Sequence, residues 1–269
     1  HERLVGSEMC IRDRGRIQGM GIDTGGYKLI NKKETGMNKK IGVIGGMGPM
    51  ASQLFYKMIT EKTEAEKDQD HVNLVLVSDA SMPDRTSAIL AGDYDEVSEK
   101  LLKDAKILEM CGCEAIGITC NTAHFFADLI KDELEIPIIH MIEETVQHIS
   151  RKSPGAKVAV LATDGTIKTQ IYQKRLERAG LKPYIVPAEI QEIVMYQIYD
   201  CIKSGKPYDK SRWGLLEKHL YAEYCDCAIM ACTELSVIKA DDGLGDFYID
   251  PMEVLAEKMI QFSGRQLKA

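Results

Sequence analysis

The chain has 269 residues, 45% hydrophobic, 28% charged and 6% aromatic, a globular balance that excludes fibrous, wholly disordered and membrane-spanning classes. Its 34 Lys and Arg are outweighed by 41 Asp and Glu, a net charge of −7 with no basic block, so no nucleic-acid partner is expected. No apolar run is long enough for a membrane span or a secretory signal, and eight cysteines are far too sparse for a disulfide scaffold. A cytoplasmic protein with reduced thiols and no membrane contact is the expectation.

Residues 1–36 stand apart, with seven glycines and no sustained period, and Met37 opens MNKK directly before the first apolar run. They are expected to be a non-native or disordered leader, Cys10 included. From residue 41 short apolar runs alternate with helical periods. Residues 41–44 read as a buried strand, and Leu54, Phe55, Met58 and Ile59 follow at helical spacing. Strands are expected next at 72–77, 115–119 and 136–141, with a helix carried by Val97, Leu101, Leu102 and Ala105. Ser153-Pro154-Gly155 breaks the rhythm. It restarts with strand candidates at 158–161, 184–186, 227–230 and 247–249. Helical periods at Ile190, Ile193, Val194 and Ile198 and at Leu255, Ala256, Met259 and Ile260 complete the series.

Buried four-to-six-residue strands between amphipathic helices imply parallel sheet covered on both faces. The two groups of four also match each other: the turn at Gly48 lies over that at Gly165, and Cys120 over Cys232, at nearly the same offset. The expected fold is α/β, with two pseudo-symmetric parallel-sheet α/β domains, 37–150 and 151–249, and the active site in the cleft between them. Residues 250–269 are expected to form a helix packing back on the first domain.

Ligands bind outside the carboxyl ends of parallel strands, where helix N-termini converge. Cys120 and Cys232 each follow a third strand there, at the expected start of a helix, where a thiol pKa is lowered. Taken alone, either cysteine reads more simply as a small buried hydrophobe; their symmetric repetition favours chemistry. Two thiols facing one cleft suit proton removal from carbon on one face and proton return on the other, with inversion. This step needs no PLP, NAD or metal. Cys111-Gly-Cys113 and Cys225-Asp-Cys227 lack zinc-site spacing and lie at the far ends of their strands, so no metal is expected.

Taken in order, Ile41-Gly-Val-Ile-Gly-Gly-Met-Gly-Pro, Met82-Pro-Asp-Arg85, Thr119-Cys-Asn-Thr-Ala-His124, Ala162-Thr-Asp-Gly-Thr166 and Ala231-Cys-Thr-Glu234 resemble the aspartate/glutamate racemase family, nearest its aspartate racemase branch. The resemblance covers about residues 40–260. It implies a cofactor-independent isomerase, commonly homodimeric, with a small amino acid as substrate, and makes Cys120 and Cys232 the two proton donor/acceptors. It also implies that Asn121, Thr122 and Thr233 serve the α-carboxylate and amine, with helix capping as their plainer role. Arg85 would pair bidentately with a second carboxylate. Tyr199 and Lys203, at i and i+4 in one helix, would line the site, and Met47 and Thr163 would occupy the equivalent first turns.

The glycines Gly45, Gly46 and Gly48 permit backbone approach to a ligand, but they are not the spaced dinucleotide fingerprint. Two departures from the family pattern stand out: residues 249–254 carry no His, and Ala231 precedes Cys232 where Gly is commoner. His124 reads as packing more than as an aid to the thiol. The alternatives are another isomerase of the superfamily, a hydantoin racemase or maleate isomerase, and a non-catalytic dicarboxylate-binding protein.

Overall fold

The computed structural model describes residues 38–269; the expected leader, Cys10 included, lies outside the described residues. The chain runs β1 (Ile41–Gly45), α1 (Pro49–Lys62), β2 (Leu74–Ser78), α2 (Arg85–Ala91), α3 (Asp95–Met110), β3 (Ala115–Ile118), α4 (His124–Ile130) and α5 (Met141–Lys152). The second half runs β4 (Lys157–Ala162), α6 (Asp164–Thr169), α7 (Ile171–Arg178), β5 (Lys182–Tyr184), α8 (Ala188–Tyr196), α9 (Lys210–Ala222), β6 (Cys227–Ala231), α10 (Thr233–Asp242), β7 (Tyr248–Ile249) and α11 (Pro251–Phe262).

Two parallel sheets result, ordered β2-β1-β3 and β5-β4-β6-β7. β1 is wholly buried because both its neighbours are parallel and both its faces are covered. Ile41 and Val43 pack with Phe55 of α1 and with Met252, Leu255 and Met259 of α11. Ile44 turns the other way, towards Leu101 and Leu108 of α3 and Phe126 of α4. In the second sheet Val158 and Val160 meet Tyr172 and Leu176 of α7, while Ala159 and Leu161 meet Val194 of α8 and Trp213 of α9.

One expectation needs correction. The strand expected at 136–141 shrinks to a single parallel bridge, Ile116 to Ile138. Pro137 has no N–H to donate, and the His140 side chain already caps α5 by accepting from the Glu143 N–H, so helix begins at Met141. The helices do not all stay with the nearest sheet in the chain. α5 gives its Ile142, Val146 and Ile149 face to the core on β4, while α11 crosses back to the β1 sheet. The described residues accordingly belong to one compact unit.

α11 is capped by Asp250, immediately after β7, whose carboxylate accepts from the Met252 N–H and the Ser236 hydroxyl. Burial, then the neighbouring Glu253 charge, push this carboxyl up to about 6. The folded chain therefore holds the proton more tightly than the unfolded one, so stability falls as pH rises from about 4 to 6 and stays lower above. Asp250→Asn, which keeps the capping oxygen, is expected to match the native chain at pH 4. At pH 8 it should be more stable by on the order of 2 kcal/mol, read as thermal midpoints across that range.

Candidate active site

The carboxyl ends of both sheets face one another, and the first βα turn shows how the backbone reaches that edge. Gly46 adopts φ +89° with its α-carbon packed on the Asp79 backbone, a conformation a side chain would obstruct, and its N–H donates to Ser52 Oγ at 2.8 Å. Met47 follows, buried, with its carbonyl turned towards α2. Across the cleft Gly165 lets α6 close on α2: a Cβ there would sit 2.8 Å from Thr86 Cα.

Cys120 and Cys232 occupy equivalent positions after β3 and β6, each only 6% exposed. Their surroundings differ. Cys232 is the N-cap residue of α10, but Cys120 is separated from α4 by the turn at Asn121–Ala123, so the expected helix start holds for one thiol only. At Cys232 the expected lowering is reversed: burial raises this thiol well above the usual range, and the Glu234 carboxylate, accepting its S–H at 2.9 Å, pushes the same way. Lys203 Nζ lies 3.5 Å from the other Glu234 oxygen and opposes that rise. Glu234 was not singled out from the sequence, although it is the only ionisable side chain in the first turn of the helix after Cys232.

Arg85 is nearly buried. It opens α2, its terminal nitrogens donate to the Met82, Pro83 and Met47 carbonyls at 3.3, 2.8 and 3.0 Å, and its guanidinium faces Cys120. Three of its five N–H donors thus serve backbone carbonyls, while Nε is buried without a partner. His124 fastens Cys120 from behind. Its Nε2 accepts from the Met141 N–H at 3.1 Å, which leaves Nδ1 to carry the proton and donate to the Cys120 carbonyl at 2.8 Å. Burial, then His140, hold this ring neutral, as suits a packing role.

Four threonine hydroxyls bind the halves together. Thr122 Oγ1 lies 2.8 Å from Thr166 and 3.2 Å from Thr163, and Thr163 lies 3.1 Å from Thr86. Thr86 and Thr166 were not foreseen. Thr163 also caps α6 through the Thr166 N–H, so one hydroxyl serves both the cap and the interface. Tyr199 and Lys203 do share a face, with Nζ 5.0 Å from the ring centroid, but Tyr199 lies in a π-helical turn, Gln197–Ile202, that extends α8 to Lys203. Burial raises the Tyr199 phenol, which faces Thr86. Asn121 is 1% exposed and accepts from the Tyr172 hydroxyl at 2.5 Å. Thr233 opens α10, buried, with its hydroxyl 3.5 Å from Glu234.

A cavity of about 300 Å³ opens at this edge, lined by Gly46, Met47, Gly48, Arg85, Lys203 and Glu234 among others. Of the ten residues singled out from the sequence it exposes Met47, Arg85 and Lys203. The two thiols and the Asn121, Thr122, Thr163, Tyr199 and Thr233 side chains are not among its lining residues. No group of three or more His, Cys, Asp or Glu suited to a metal ion occurs among the described residues.

Residues 44–259 match the family model described as Asp/Glu/Hydantoin racemase. The broad-specificity amino-acid racemase RacX of Bacillus subtilis (strain 168) is 28% identical over 204 residues, 74% of this chain and 86% of that protein. Among solved structures, the Picrophilus torridus aspartate racemase is 31% identical, with a TM-score of 0.72 over 86% of this chain and 96% of its own. An aspartate racemase homologue of Pyrococcus horikoshii OT3 is 26% identical, with a TM-score of 0.66 over 84% and 99%. No helix among the described residues is long and apolar enough to cross a membrane.

Proposed function

The chain belongs to the Asp/Glu/Hydantoin racemase family, and on that premise we propose that it interconverts the enantiomers of a small amino acid, aspartate first and glutamate second, by proton transfer at the α-carbon between Cys120 and Cys232. The observation that carries this reading is the unequal pair of thiols at equivalent sheet ends, a guanidinium facing Cys120 and a carboxylate accepting the S–H of Cys232. Arg85 supplies a counter-charge for a thiolate at Cys120, and Glu234 keeps the proton on Cys232. The Cys120 thiolate takes the α-proton from one face, and the Cys232 thiol gives its proton to the other. The pair is left with reversed protonation, ready for the opposite enantiomer. Lys203, held by Glu234 near both sulfurs, offsets the charge that develops on the substrate.

Asn121 and Thr122, next to Cys120, and Thr233, in the first turn of α10, supply donors for the α-carboxylate. Met47 lines the cavity, and Thr163 and Tyr199 join the site through Thr86. A cytoplasmic homodimer belongs to the same proposal.

A second reading widens the substrate. Three Arg85 donors already serve backbone carbonyls, which leaves fewer for a side-chain carboxylate, and uncharged amino acids fit the same thiol chemistry. The name of the Bacillus subtilis relative points the same way.

The test incubates the reduced full chain, without added cofactor, with L-aspartate in deuterated water. D-aspartate carrying α-deuterium is the expected product. Parallel runs with glutamate and uncharged amino acids decide breadth, since one methylene changes discrimination by only about 1–3 kcal/mol. Folded protein that gives neither inversion nor exchange with any of them overturns the reading, and hydantoin, maleate and simple dicarboxylate binding follow.

A further inference from the structure

Tyr172 is fully buried in α7, at the heart of the core on β4, yet it carries a polar group whose partner belongs to the other half of the molecule. Its hydroxyl donates to Asn121 Oδ1 at 2.5 Å. A buried hydroxyl needs a partner, but nothing in the packing of α7 requires that partner to be the residue after Cys120. The other end of the same carboxamide is just as informative. Asn121 Nδ2 is buried and has no hydrogen-bond partner. An unmade buried amide donor is unfavourable by about 1–3 kcal/mol, and it persists only where something else holds the group in place.

We infer that Tyr172 is a positioning residue: its hydroxyl fixes the Asn121 carboxamide in one orientation, with the oxygen towards α7 and the Nδ2 donor left for the substrate carboxylate. The inference rests on the racemase reading of the same site and goes beyond it, because Tyr172 lies behind Asn121 and touches no reacting atom. A free carboxamide can turn over and present oxygen in place of nitrogen, and an oxygen repels a carboxylate. The phenol blocks that flip as long as it stays a donor. Burial, then the charge of Asp250, hold it protonated, while Thr145 and Arg175 pull the other way. Tyr172 therefore adds no acid or base to the reaction. It links the packing of the second half to the binding geometry beside the first thiol.

The test is a double-mutant cycle of Tyr172→Phe, Asn121→Ala and the pair, with KM and kcat measured on the best substrate of the deuterium assay. Tyr172→Phe is expected to raise KM by about tenfold, with kcat within about threefold of native, because what is lost is ground-state orientation. In the Asn121→Ala background the same change should have no further effect on KM. Equal multiplicative losses in both backgrounds, or a native KM for Tyr172→Phe alone, overturn the inference. Where Tyr172→Phe does not fold, judged by its thermal midpoint, Asn121→Asp decides. It keeps the oxygen that Tyr172 holds and removes the donor, so a native KM for that variant overturns the inference. An unaltered chain that turns nothing over overturns the racemase reading, and this inference with it; an active chain with unaffected variants overturns the inference alone.

Discussion

Replacing Cys120 or Cys232 with serine is expected to lower racemisation by about 10³-fold or more, with a thermal midpoint within a few degrees of native. A serine hydroxyl is far too weak an acid to exist as alkoxide near neutral pH, so a two-proton relay fails whichever thiol is removed. The fold has little at stake. Both sulfurs are nearly buried, serine is slightly smaller, and at position 232 its O–H still has the Glu234 carboxylate to donate to. Activity should be measured by chiral analysis together with α-deuterium, because a variant with one thiol left is able to exchange without inverting. A protein that only binds dicarboxylates predicts a different result, unchanged affinity for ligand in both variants with no turnover to lose. Variants that keep more than about a tenth of native turnover would remove the thiol mechanism.

Arg85→Leu is expected to damage stability and activity together. The guanidinium serves the carbonyls of Met47, Met82 and Pro83 from a nearly buried position, so the change strands acceptors of the β1–α1 turn and of the strap before α2. Hydrogen bonds from a charged donor contribute roughly 1.5–3 kcal/mol each, and partial relaxation puts the net loss at about 3–5 kcal/mol. For a chain of this size that lowers the thermal midpoint by roughly 6–15 °C. Turnover at a temperature where the variant remains folded should fall by at least about tenfold, because Cys120 loses the cation that faces it. Arg85→Lys keeps a charge but not the fork, and should recover part of the activity and little of the stability. An Arg85→Leu chain with a native midpoint would show that these carbonyls find other donors.

The buried strands, their two-fold repetition and the two cysteines after the third strand of each half were legible in the sequence. Burial writes itself as uninterrupted apolar runs such as 41–44 and 158–161, and a duplicated half repeats its turns at a constant spacing. The family motifs run through the same turns, which is why they pointed to the sheet edge where the structure places both thiols. Residue patterns carry this information because it is local: a strand, a turn or a helix face is made of neighbours in the chain.

What the patterns do not contain is which distant groups meet, and there the structure alone is informative. That Arg85 spends its fork on three carbonyls, that Glu234 takes the Cys232 proton and that Lys203 joins Glu234 depend on how α2, the end of α8 and α10 converge. Position in a helix suggested a lowered thiol pKa at Cys232, but burial and a neighbouring carboxylate outweigh a helix terminus and raise it. Likewise, α5 and α11 each carry an apolar face that periodicity reveals. The sheet each one covers follows from where its ends are anchored, at His140 and Asp250, because an amphipathic stripe packs on any apolar surface within its reach.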